Sequence, residues 1–267
     1  LSSSVLRRSS QMIHSLAQID SSAEIDSNVF VGPYSVIGPK VKIKSGTKIE
    51  GNVFIHKNTS IGKDNLIYPF TSIGGDPQDL KYQGEETFLE IGDNNEIREG
   101  STINRGTIQE LGLTKIGNNN LLMAYTHVAH DCILENDIVM TNNSGVAGVV
   151  KVGSGARLSG FTLVHQFCNI GSFSFSALGT IITKDVPAFV RVSGNPAIPR
   201  GLNVVGIQRQ DLSKQASEAL KESYKILYLR KNKLIDAKKE IISKFNNILE
   251  MKIFIDSISH SDRSIVR

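Results

Sequence analysis

Aliphatic residues recur at every sixth position along most of this chain. Ile13, Ile19, Ile25, Val31, Ile37, Ile43, Ile49, Ile55, Ile61, Ile67 and Ile73 form one unbroken series. Ile91, Ile97 and Ile103 form a second. Ile116, Leu122, Val128, Leu134, Met140, Val146, Val152, Leu158, Val164 and Ile170 form a third, which ends near Ile182. Six residues fit neither the helical period of about 3.6 nor the strand period of about 2. They fit a β-solenoid whose coil has three flat sides, each sending one branched side chain inward. Residues 18 apart, such as Val128 and Val146, then stack one strand spacing of about 4.8 Å apart.

The beat fails twice. Between Ile73 and Ile91 the segment from Gly74 to Glu86 carries no inward aliphatic, and reads as a coil-length excursion from the stack. Between Ile103 and Ile116 lie 13 positions, one more than two sides need, so a second loop is expected around Arg105–Thr114. Long loops on a regular scaffold are where function gathers. After Pro187 the period changes. From about Asp211, Leu212, Ala216, Ala219, Leu220, Ser223, Leu227, Leu234, Ile241, Ile242, Phe245 and Leu249 follow helical spacing. The reading is a tail over 1–12, a β-solenoid over 13–200 and a helical domain over 201–267 that caps the open last coil.

Composition sharpens this picture in three places. No apolar run reaches the roughly 18–20 residues that span a bilayer. Charge is uneven: residues 208–267 carry 13 Lys and Arg against 8 Asp and Glu, and the rest carry 17 against 18. A solvated face is one reading of that balance and an acidic partner docking near the C-terminal region the sharper one; no nucleic acid is expected. The two cysteines, Cys132 and Cys168, lie two coils apart, about 9–10 Å, which is beyond disulfide reach and points to a reducing compartment. The start of the chain, with Arg7, Arg8, five Ser and no acid up to Met12, looks like an organellar transit peptide, a tail being the alternative.

Titratable groups concentrate in Thr126-His127-Val128-Ala129-His130-Asp131. His130, Gly148 and Gln166 follow the inward residues Val128, Val146 and Val164 by two, so they should form one vertical stack. A His beside an open glycine N–H suits a general base next to an oxyanion donor. Asp131 joins His130 as a catalytic candidate, although neighbours on a strand would point to opposite faces and leave a direct bond unassured. A zinc site drawing on His127, His130 and His165 is the rival reading. In the excursion, Lys81 suits a phosphate and Asp79 a sugar hydroxyl.

Gln78-Asp79-Leu80-Lys81-Tyr82, Arg105-Gly106-Thr107, Leu121-Leu122-Met123, His127-Val128-Ala129-His130-Asp131-Cys132, Val164-His165-Gln166-Phe167-Cys168 and Gly194-Asn195-Pro196 carry a resemblance. Together with the hexads, they resemble the UDP-N-acetylglucosamine O-acyltransferases that open lipid A biosynthesis. The resemblance spans about residues 13–267. It implies a left-handed parallel β-helix, a homotrimer with active sites between subunits, and an acyl donor carried on the phosphopantetheine of acyl carrier protein. No metal or other cofactor is implied. It makes His130 the general base, Gly148 the oxyanion donor and Asp131 the base's neighbour. Asp79 and Lys81 become sugar and phosphate contacts, and Gln78, His127, His165 and Gln166 pocket residues. Asn203 and Arg209 become contacts to nucleotide and donor, and Leu178 the acyl-chain ruler.

Three positions depart from the family pattern. Val149 stands where a His touching the sugar is common, and Pro196 where a His is frequent. Leu178 is bulky where a small residue admits a long chain. The transit-like start suits a eukaryotic, mitochondrial homologue, with a cytoplasmic enzyme as the alternative. Competing readings are the related N-acyltransferase of the same pathway, a γ-type carbonic anhydrase and a non-catalytic scaffold.

Overall fold

A computed structural model describes residues 12–259 and 264–267. Residues 1–11, which hold nearly all of the transit-like start, lie outside the described residues. Strands of mostly two residues recur every sixth position and assemble into three parallel sheets of nine, eight and ten strands, the faces of a left-handed β-helix. The first face holds Ile37, Ile55, Ile73, Ile103, Val128, Val146 and Val164. The second holds Ile43, Ile61, Ile91, Ile116, Leu134 and Val152, and the third Val31, Ile49, Ile67, Ile97, Leu122 and Met140. These inward side chains are at most 4% exposed and fill a thin core. Val128 pairs with Val146 and Val146 with Val164, which confirms the 18-residue coil.

The two interruptions differ in size from the sequence reading. Ile73 and Ile91 sit on consecutive faces, normally six apart, so the excursion replaces one corner rather than one coil. Ile103 and Ile116 are likewise consecutive, and the second loop adds seven residues to a single side. Paired positions across these loops are accordingly 30 and 25 apart, as in Ile73↔Ile103 and Ile103↔Val128. Both loops leave from the corner between the first and second faces. One coil later that corner carries His130 and Asp131.

At the C-terminal end, a strand over Val190–Ser193 pairs antiparallel with Ile198–Leu202, closing the third face. Four α-helices follow: α1 (Val204–Gln208), α2 (Lys214–Tyr224), α3 (Leu234–Phe245) and α4 (Lys252–Ser259). The short α1 was not legible in the helical spacing; it starts because Asn203 caps it, its Oδ1 accepting from Gly206 N–H at 3.1 Å. Ser257 Oγ accepts from Ala188 N–H, and the C-terminal residues bridge Asp185, so the helical domain covers the last coil. Among the described residues, no helix is long and apolar enough to cross a membrane.

Candidate active site

His130 and Asp131 occupy a turn, not a strand. Asp131 adopts φ +58°, which swings its carboxylate toward the preceding imidazole. The two side chains therefore meet, His130 Nδ1 lying 2.9 Å from Asp131 Oδ2. This corrects the strand-based expectation that neighbours diverge. The carboxylate is 1% exposed, and the imidazole is 16% exposed at its edge. Three hydrogen bonds from one residue hold the carboxylate: Thr107 N–H donates at 2.9 and 3.0 Å, and Thr107 Oγ1–H at 2.7 Å. Gly106 permits this approach, since a Cβ there would stand 2.7 Å from Asp131 Oδ1 and 2.1 Å from Leu113 N.

Hydrogen bonding to Asp131 raises the pKa of His130 above the ordinary imidazole range; burial acts against it, and Asp79 and Glu110 add to the rise. The loops thus surround His130 with negative charge. His127, on the first face, behaves oppositely. Burial lowers its pKa, helped by His130, and its Nδ1 lies 2.7 Å from Thr102 Oγ1.

Gly148 lies one coil beyond His130, as the stacking ruler requires. The imidazole rests on it: a Cβ at Gly148 would come within 2.5 Å of His130 Cε1 and 2.6 Å of Nε2. Among the described residues, nothing accepts from the Gly148 N–H, whereas its neighbour Val149 N–H donates to His130 O at 3.0 Å. Val149 itself holds φ +63°, a strained conformation for a β-branched residue. Gln166 and His165 occupy the next coil and are exposed, with His165 Nδ1 3.1 Å from Gln166 O.

Asp79 and Lys81 sit at the tip of the excursion, Lys81 N–H donating to Asp79 Oδ1 at 2.9 Å. Gln78 and Lys81 are exposed, and Leu80 between them is fully so. Asn203 and Arg209 lie elsewhere. With Arg157, Arg191, Phe173 and Phe175 they line a cavity of about 620 Å³ against the third face. Leu178 is 74% exposed, over Gly160 at the corner between third and first faces. A single chain therefore gathers His130, Asp131, Gly148, His127 and the Asp79 loop, and leaves Asn203, Arg209 and Leu178 apart. Among the described residues of one chain, no three His, Cys, Asp or Glu converge. Burial pushes the Cys132 thiol up to about 12, which makes it a core residue rather than a nucleophile.

Residues that sequence reasoning assigned no role are the supports: Thr107 beneath Asp131, Thr102 beside His127, and Arg105. The signal for Thr107 was positional, since it lies in the loop leaving the corner one coil before Asp131.

A profile for bacterial hexapeptide transferase repeats matches residues 22–57, and one described as UDP-N-acetylglucosamine O-acyltransferase, domain 2, matches 185–266. The acyl-[acyl-carrier-protein]--UDP-N-acetylglucosamine O-acyltransferase of Stutzerimonas stutzeri is 51% identical over 207 residues, covering 78% of this chain and 80% of its own. The chain belongs to the UDP-N-acetylglucosamine O-acyltransferase family. It is an acyltransferase. Its fold superposes on the Moraxella catarrhalis member with a TM-score of 0.93 at 44% identity, covering 96% of this chain and all of the other. The Arabidopsis UDP-N-acetylglucosamine acyltransferase follows at 0.82 and 31%, with the same coverage. Curated relatives near half identity come from bacteria such as Stutzerimonas and Pseudomonas, and give a eukaryotic organellar origin no support.

Proposed function

We propose that this enzyme transfers a 3-hydroxyacyl group from the phosphopantetheine thioester of acyl carrier protein to the 3-hydroxyl of UDP-N-acetylglucosamine, opening lipid A biosynthesis. The observation that carries the catalytic reading is the His130–Asp131 pair lying against Gly148. Asp131 engages Nδ1 and keeps a proton there, which leaves Nε2 as the base. Nε2 takes the proton of the sugar hydroxyl as its oxygen attacks the thioester carbonyl. The Gly148 N–H stabilises the resulting oxyanion. On collapse the C–S bond breaks, and His130 returns its proton to the departing thiolate. The thioester is already activated, so base and oxyanion donor suffice without a further cofactor.

Assembly as a homotrimer completes the site. The Asp79 loop and His130 lie at one corner of a chain and Asn203 and Arg209 on another face, so a neighbouring copy is needed to enclose one substrate among all four. The basic helical domain offers the surface for the acidic carrier protein. Buried Cys132 and Cys168, neither in a disulfide, suit a reducing compartment. Localising the full-length protein decides between the mitochondrial matrix and the cytoplasm.

Acyl length is set at Leu178. It lies nearly three coils beyond Val128, about 13 Å along the axis, where its exposed side chain would limit the acyl chain. Leu178→Gly is expected to shift the preferred donor to a longer chain, measured as kcat/KM across a series of 3-hydroxyacyl carrier proteins. Unchanged chain preference contradicts the assignment.

A further inference from the structure

Arg105 is the largest fully buried side chain, with 0% exposure. It belongs to the second loop, yet its side-chain hydrogen bonds go to the first. Its Nη1–H donates to Gly74 O, one Nη2–H to Asp76 Oδ1 and Nη2 again to Tyr82 OH at 3.0 Å. The Arg105 N–H donates to Gly75 O at 2.9 Å, and the preceding Asn104 Nδ2–H to Asp76 O at 2.8 Å. Gly74 to Asp76 is where the excursion leaves the coil, and Tyr82 directly follows its tip, the Tyr82 hydroxyl donating to Glu85 O. One guanidinium thus braces the loop on both sides of the tip that carries Asp79 and Lys81. Two residues on, the Thr107 N–H and Oγ1–H donate to the Asp131 carboxylate. Segment 104–107 therefore has two outputs, one toward the excursion and one toward the base.

We infer that Arg105 is a positioning residue for the acceptor: it fixes the Asp79–Lys81 tip relative to His130, while Thr107 separately fixes the base. The inference rests on the proposed reaction. A planar five-donor fork satisfies three acceptors at defined angles, which a lysine cannot do, so the two are not interchangeable here. A packing role for Arg105 would weaken all steps alike. A positioning role splits them.

The test compares Arg105→Lys, Tyr82→Phe and Thr107→Val. Tyr82→Phe removes one hydroxyl from a half-exposed ring and keeps the fold if Arg105→Lys does not. Arg105→Lys is expected to raise KM for UDP-N-acetylglucosamine about tenfold or more, with kcat within about threefold and the pH profile unmoved, a tenfold loss corresponding to one fork bond. Tyr82→Phe moves the same constant by less. Thr107→Val does the converse, lowering kcat and displacing the pH profile with acceptor KM little changed. Hydrogen exchange over residues 76–85 reads the loop without any substrate, and Arg105→Lys is expected to speed it while leaving 128–134 protected. Equal losses in kcat and in both KM values, or unchanged exchange over 76–85 in Arg105→Lys and Tyr82→Phe, overturns the inference. Turnover by the unaltered enzyme is measured first: its absence refutes the proposed reaction, and the exchange result still decides the role of Arg105.

Discussion

Replacing His130 by Ala is expected to lower turnover about 10²- to 10⁴-fold, the range a positioned general base supplies. The fold should survive. His130 lies on a corner, outside the inward aliphatic series that forms the core, and only its edge is exposed. Its removal deletes the base but leaves the Gly148 N–H and the loops in place. Residual activity close to that of the unaltered enzyme, with circular dichroism and assembly unchanged, would remove His130 as the base.

Asp131→Asn carries the second large effect. The carboxylate is buried, and it both orients the imidazole and holds the proton on Nδ1. Asn keeps the shape but removes the charge, and can offer an N–H where an acceptor is needed, so the wrong tautomer is stabilised. Turnover should fall by about 10²-fold or more. The pH dependence gives an independent sign. His130 accepts a proton only when neutral, and Asp131 holds its pKa above the ordinary value of 6.5. Activity therefore rises with pH along a limb above that of an ordinary histidine. In Asp131→Asn the main cause of the rise is gone while burial remains, so the limb moves to lower pH as its height falls. A limb that stays in place shows that Asp131 does not set the protonation of the base.

The scaffold was legible in the sequence because nearly every inward position carries an aliphatic side chain, and a one-residue slip would expose it. Val128, Val146 and Val164 thereby located His130 over Gly148. Corners were less legible. The His130–Asp131 contact depends on a positive φ at Asp131, which recurs every sixth residue at Tyr125, Asp137, Asn143, Val149 and Phe167 but on residue types too varied to mark it in the sequence. Loop lengths were misjudged because the aliphatic beat stops inside an excursion and cannot say which face it rejoins. Arg105 and Thr107 stand within one short motif, but their partners lie 23 to 31 residues away along the chain. Only the coil geometry brings those residues together. The separation of Asn203 and Arg209 from His130 within one chain likewise has no local signature.

Acyl transfer from 3-hydroxyacyl carrier proteins of graded chain length to UDP-N-acetylglucosamine, with the product bond identified by mass spectrometry and NMR, tests the central claim most directly. The account predicts an ester at the sugar 3-hydroxyl and one preferred chain length. Absence of turnover with every donor, or acylation at another sugar position, would contradict it.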